Sequence, residues 1–354
     1  MTGPLPFSLE TKGSAQLIKE IDTMRKIKGL TIIILLLAAL GCNNAKEAAE
    51  IIDGIERKPI PRSKLAINAF FNDSRFGSIP AQMSDVTQNL GLRRIRVLAR
   101  WDTGSHPSPG ATPSFGLLES ILSSAPSNAE ILVVATGVPS WMSNSANWIN
   151  GNPRVTYVER WLKPLIRKVR QNGVVKAVQV WNEPNSGLFS ENNVLQVRTS
   201  PENYVELMAL SKNAFDSEAG SLQFVMGATT SINQNFPETL NYNRALRDAG
   251  VDSLIDVWAI HYYGQQFENV VQDGGVRDFL QGISKPIWMT ESGIQGSDKQ
   301  LKYGEETWPY LTEKIPSIDR IYIYQYTEST AAPSSYGLRN LNGVSDLYNW
   351  LAEG

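Results

Sequence analysis

From Ser63 onward, short apolar runs rich in β-branched and aromatic residues alternate with longer stretches of helical spacing. The runs are Leu65–Phe71, Ile95–Ala99, Ile131–Ala135, Ala177–Trp181, Gln223–Gly227, Val257–His261, Pro286–Thr290 and Arg320–Tyr324. Between them lie helical patterns such as residues 158–171 (VERWLKPLIRKVRQ) and 204–215 (YVELMALSKNAF). Strand and helix in alternation predict an α/β fold with a parallel sheet. Eight such units across residues 63–354 fit a single closed (β/α)₈ barrel, whose usual size is about 250 residues. An open doubly wound sheet is the competitor, and it often carries a glycine-rich phosphate loop after its first strand. Here that strand is followed by NDSRFGSIP, which is no such loop.

The chain before the barrel has a different pattern. Residues 24–42 (MRKIKGLTIIILLLAALGC) have a basic start, an apolar run and small residues ahead of Cys42. That is the layout of a secretory signal, and its apolar run is shorter than the roughly 20 residues that span a bilayer. Residues 1–23 then read as an upstream extension from a mis-called start. Residues 43–62 are polar, end in two prolines and read as a tether, with a short helix at Ala45–Ile55. Residues 63–354 form the barrel.

Composition narrows the function. The formal net charge is −2 and the 33 basic residues are not clustered, so no nucleic-acid surface is indicated. Cys42 is the sole cysteine, so no disulfide forms within the chain. With only His106 and His261, a site built from several His and Cys ligands is excluded, while an all-oxygen ion site is not. No metal or cofactor is expected, and a monomer is.

A barrel of this type places its active site at the C-terminal ends of the strands. The polar residues there are Asn68 and Asn72 on the first strand, Arg96 and Arg100 on the second, and Thr136 with Trp141 after the third. Asn182 and Glu183 follow the fourth, His261 and Tyr263 close the sixth, Glu291 follows the seventh, and Gln325 and Tyr326 close the eighth. Two acids at the mouths of facing strands suit glycosidic-bond cleavage. That reaction needs a proton for the leaving oxygen and a second carboxylate at the oxocarbenium-like centre; with retention the two stand about 5–5.5 Å apart.

At this point the residues resemble a family. Val180-Trp-Asn-Glu-Pro-Asn185 is similar to the strand-four motif of the clan A glycoside hydrolases, and Trp288-Met-Thr-Glu-Ser-Gly293 to their strand-seven motif. The resemblance covers residues 65–350. It implies Glu183 as acid/base, Glu291 as nucleophile and Asn182 as the contact to a sugar 2-hydroxyl. It implies Arg96 and the His261-Tyr262-Tyr263 element as supports of the nucleophile. Pro139-Ser-Trp-Met142 and Ser200-Pro-Glu-Asn-Tyr204 resemble segments of the xylosidase and glucosylceramidase branches. Trp141 and Trp148, in the loop after strand three, are expected to stack on sugar rings. The clan usually ends strand eight with a Trp; here Tyr324 or Tyr326 takes that place. The implied substrate is a β-linked glucan, xylan or mannan. The long loop from Asn185 to Pro201 favours an open cleft and endo action. Cys42 resembles the lipidated cysteine of bacterial lipoproteins, with Ala39 where Leu is usual, which implies a lipid-anchored enzyme of the cell envelope, periplasmic or on the outer surface. A non-catalytic glycan-binding lipoprotein would be expected to lose one acid, and both are kept; a transglycosylase would use the same residues.

Overall fold

The computed structural model describes residues 45–331 and 333–354. The expected extension, the signal and Cys42 lie outside the described residues. Eight parallel strands follow one another around a barrel: β1 (Leu65–Asn68), β2 (Arg94–Arg100), β3 (Glu130–Thr136), β4 (Val175–Val180), β5 (Gln223–Met226), β6 (Trp258–Tyr263), β7 (Ile287–Gly293) and β8 (Ile318–Ile323). From β1 to β5 and from β6 to β8 each strand pairs with its sequence neighbours, and β1 pairs with β8. The β5–β6 seam is the thin one. It closes by a single bridge, Val225 to Val257, and the Asp256 carboxylate accepts the Phe224 N–H at 2.8 Å.

Helices cover the outer face of the sheet while side chains fill its interior, so the strands are buried on both sides. All of β7 (IWMTESG) and the middle of β3 (ILVVA) are buried accordingly. The long helix after β4, Pro201–Glu218, starts where its sequence says: Ser200 Oγ accepts the Asn203 N–H and Pro201 takes the first turn.

The described part of the expected tether is docked against the barrel instead of standing away from it. A helix does form, at Ala45–Asp53. Its Glu47 binds Arg277 (2.5 Å) and Lys314 (3.0 Å), Lys58 donates its backbone N–H to the Glu305 carbonyl, and Ile60 enters the core. The polar composition that suggested a free linker is used in ion pairs along helix Gln300–Lys314.

Two irregularities in the sheet place the site. Between β6 and β7 the register passes from Ile260–Met289 to His261–Glu291, which leaves Thr290 as an extra residue. Such a bulge turns the following side chain and frees a carbonyl; Asn68 Nδ2 takes up that carbonyl, Thr290 O, at 3.0 Å. Past β4, Trp181 (φ 71°) and Glu183 (φ 44°) both adopt left-handed backbone. Non-glycine residues rarely do so, and they persist there only when the surroundings hold them. Asn192 does the holding: its Oδ1 accepts Trp181 Nε1 at 2.7 Å, and its Nδ2 donates to the Glu183 and Ser186 carbonyls, both at 2.9 Å. Gly227 sits so close beneath that a Cβ there would lie 2.6 Å from Trp181 O.

Candidate active site

The centre of the barrel mouth is organised by Arg96, which is fully buried. Its Nη1 donates to Glu291 Oε1 (2.8 Å) and Asn68 Oδ1 (2.6 Å), its Nη2 to Asn182 Oδ1 (2.7 Å) and its Nε to Gln179 Oε1 (3.0 Å). One guanidinium thereby orients groups from β1, β4 and β7 at once, which the fork of five N–H donors permits and a lysine would not. The other carboxylate oxygen of Glu291, Oε2, accepts from Tyr263 Oη at 2.7 Å. The Glu291 side chain is 9% exposed. Burial by itself would raise its carboxyl, but the His261 ring, the Arg96 guanidinium and the Tyr263 hydroxyl outweigh it and hold the group below the ordinary carboxylate value. Burial and the adjacent Glu291 charge push the Tyr263 phenol far up, so it remains a donor.

His261 stands between the two acids. Its Nδ1 lies 2.9 Å from Glu183 Oε1 and its Nε2 lies 3.4 Å from Glu291 Oε1. The expectation tied His261 to the nucleophile alone, whereas its shorter contact is to Glu183. One oxygen from each carboxylate and one imidazole nitrogen lie within 4.8 Å of one another. Three such groups can also ligate a cation, but Glu291 Oε1 already accepts from a buried guanidinium, which opposes a second positive charge there.

These groups face a cleft of about 340 Å³. Its walls are aromatic: Phe70, Tyr263, Tyr324 and Tyr336 meet edge to face, with ring centroids 5.5–6.1 Å apart. Glu183, Asn182 and Glu291 line it together with Phe189 and the Arg100–Glu191 pair (2.7 Å).

The structure thus brings together Glu183, Glu291, Asn182, Arg96, His261 and Tyr263. It does not bring in three other expected residues. Tyr326 is fully buried; its hydroxyl donates to Asp85 Oδ2 at 2.7 Å and accepts from Arg339, away from the cleft. Both tyrosines follow the end of β8 at Ile323, where the pleat no longer sets direction, and Tyr324, the first residue past the strand, is the one that lines the cleft. Trp141 and Trp148 are half-buried and do not line it. Their indole N–H groups donate to the backbone carbonyls of His106 and Met142, both at 2.8 Å, and Trp141 packs on Trp101. Sequence reasoning missed Gln179, Asn192, Phe70 and Tyr336. Gln179, the one polar residue in the buried stretch AVQV of its strand, was the one signal available.

The profile of the glycosyl hydrolase catalytic core family matches residues 140–349, more than half of the chain. No curated protein sequence matches it. Among solved structures, a family 39 glycoside hydrolase from the gut symbiont Bacteroides cellulosilyticus superposes with a TM-score of 0.58 at 16% identity, over 84% of this chain and 63% of its own. The chain therefore spans a little under two thirds of that protein's length. A monomeric β-xylosidase from Caulobacter crescentus gives 0.57 at 15% identity, over 85% of this chain and 69% of its own. The endo-1,4-β-mannanase of Rhizomucor miehei gives 0.54 at 15% identity, over 85% and 97%. At these identities the likeness is one of fold, and it agrees with the strand order observed. With the family match spanning the strands that carry both acids, the chain belongs to the glycosyl hydrolase catalytic core family and folds as a (β/α)₈ barrel.

Proposed function

We propose that the protein cleaves β-linked glycans with retention of configuration, Glu291 acting as nucleophile and Glu183 as acid/base. The observation that carries this reading is the pair itself: two carboxylates from β7 and the β4 turn, with one oxygen of each within 4.8 Å of the other, which fits the about 5–5.5 Å between carboxyl groups that retaining chemistry calls for. Inverting chemistry would need room for a water between them, at about 6.5–9.5 Å.

In the first step a Glu291 carboxylate oxygen bonds to the anomeric carbon as the glycosidic bond breaks. Glu183 passes its proton to the leaving oxygen. Water then attacks the same carbon, Glu183 takes one of its protons, and the bond to Glu291 breaks. His261 suits the starting state: with Nε2 protonated toward the Glu291 carboxylate, Nδ1 accepts the proton of neutral Glu183. In that tautomer Nδ1 holds Glu183 by a hydrogen bond of 2.9 Å, and Nε2 stands 3.4 Å from Glu291 Oε1 without forming one. Asn182, whose oxygen is taken by Arg96, presents its amide N–H₂ to the cleft for a sugar 2-hydroxyl. Tyr324 takes the place of the usual strand-eight Trp beneath the cleaved sugar.

The substrates we propose are β-glucan, xylan or mannan, attacked within the chain; relatives in fold include a β-xylosidase and an endo-mannanase. Sequence alone supports export and a lipid anchor at Cys42, testable by whether Cys42→Ala moves the protein from the membrane to the soluble fraction. The catalytic reading is tested by reducing-sugar release from the three polymers and by proton NMR of the first anomer formed. A β-anomer, with activity lost in Glu183→Gln and Glu291→Gln, is the expected result. An α-anomer formed first would refute retention.

A further inference from the structure

Beside the catalytic cleft lies a second cavity of about 430 Å³, and Phe70, Leu98 and Arg100 line both. The two therefore lie side by side at the mouths of β1 and β2. The far wall of the second cavity is the start of helix Gly116–Ser124. Nothing in the cleavage chemistry uses this space, yet its lining is unlike an ordinary surface dimple. Leu117 is 49% exposed there, one of five large apolar residues so exposed among the described residues. Phe115 is held next to it by its ring contact with Trp161, centroids 4.9 Å apart. Exposed apolar groups rimmed by polar ones mark ligand grooves.

The polar groups are also unspent. Among the described residues, neither the Asn72 amide nor the Ser114 hydroxyl has a hydrogen-bond partner. Arg100 commits one N–H₂ group to Glu191 and keeps its other donors. Asp102 uses Oδ1 on the Ser105 N–H at 2.8 Å and leaves Oδ2. Donors and acceptors side by side, with an apolar face to cover a ring, form a lining matched to a neutral sugar. An acidic one would meet Asp102, and an apolar ligand would strand the polar groups.

We infer that this second cavity is a glycan subsite, holding sugar units of the substrate beyond those at the bond being cut. The inference rests on the glycosidase reading and adds a substrate class to it: oligosaccharides long enough to fill both cavities. Binding energy gained away from the reacting bond is spent on lowering the barrier, so short substrates lose kcat as well as affinity.

The test is a ladder of β-linked gluco-, xylo- and manno-oligosaccharides of two to six units, with the parent and Leu117→Arg, which places a long side chain across the cavity. Asn72→Ala is the milder second variant; both positions are exposed, and circular dichroism checks the fold. For one series, kcat/KM of the parent should rise at least about tenfold from the dimer to the hexamer, and Leu117→Arg should flatten that rise. The same hexamer should bind Glu291→Gln in calorimetry and bind the Leu117→Arg double variant about tenfold more weakly. A parent with no preference for length, or a Leu117→Arg variant that keeps it, overturns the subsite. Failure of hydrolysis with length-dependent binding intact would instead remove the catalytic reading and leave the subsite standing.

Discussion

At the scale of single residues, Arg96 carries the most consequence. Breaking a buried ion pair from one side costs about 3–5 kcal/mol, because the other charge is left without a partner. Arg96→Met is therefore expected to lower stability by that order at neutral pH, read by urea unfolding. The pH dependence has a definite sign. The Glu291 carboxyl lies below its unfolded value in the folded protein, so its ionisation stabilises the fold above the ordinary carboxylate range. That contribution is lost as pH falls through the lowered folded value. The same group must be ionised to attack, so removing the Arg96 charge should move the acid limb of the kcat/KM profile to higher pH. His261 makes a separate prediction. If it shares the Glu183 proton, His261→Ala should change the basic limb and cost about 10²-fold in kcat, at the low end of what proton transfer contributes. An unchanged basic limb with a uniform loss would reduce His261 to packing.

At the scale of elements, the site depends on two departures from regular strand. The bulge at Thr290 aims Glu291 inward, and the left-handed turn after β4 aims Glu183. Asn192 pins that turn by three hydrogen bonds from a fully buried position. Asn192→Ala strands the Trp181 indole N–H and the Ser186 carbonyl, at about 1–3 kcal/mol for each buried group left unsatisfied, while the Glu183 carbonyl keeps only the Ser186 N–H. The expected outcome is a drop in thermal midpoint together with a fall in kcat, since Glu183 loses its anchor. These devices set the limits of what the sequence disclosed. The eight strands were legible because parallel strands buried on both faces carry short, largely apolar runs, and the two acids were legible because each follows such a run. The bulge has no residue signature: Met289, Thr290 and Glu291 would read the same in a regular strand. Nor did the aromatic walls show, since Phe70 and Tyr336 reach the cleft from loops whose paths depend on packing between distant segments. Trp141 and Trp148 misled for a related reason. An indole in a loop on the site face suits a sugar, but it suits a backbone carbonyl equally well, and nearby carbonyls hold both.

At the scale of the whole molecule, the segment ahead of β1 belongs to the barrel. Polar composition hid this, because its contacts are mostly ion pairs on helix Gln300–Lys314, with Ile60 as the lone described side chain fully in the core. Ile60 lies against Gly304, in the same core cluster as Trp308. Removing residues 1–62 should therefore lower the thermal midpoint by several degrees relative to removal of residues 1–44. A burial loss the size of one Ile side chain, about 1.5–3 kcal/mol, supports that magnitude. Equal midpoints would return the segment to the status of a linker. The barrel itself has its weakest joint between β5 and β6, opposite β1, so hydrogen exchange should be fastest along that seam and slow across β2–β3.

The most direct test of the central claim is to trap the intermediate. A 2-deoxy-2-fluoro β-glycoside with an activated leaving group, of the sugar the enzyme proves to cut, slows both steps and the second more. Peptide mass spectrometry after brief incubation should find the fluorosugar bonded to the peptide carrying Glu291. A label on Glu183, or full turnover with inversion and no labelled peptide, would contradict the assignment of Glu291 as nucleophile.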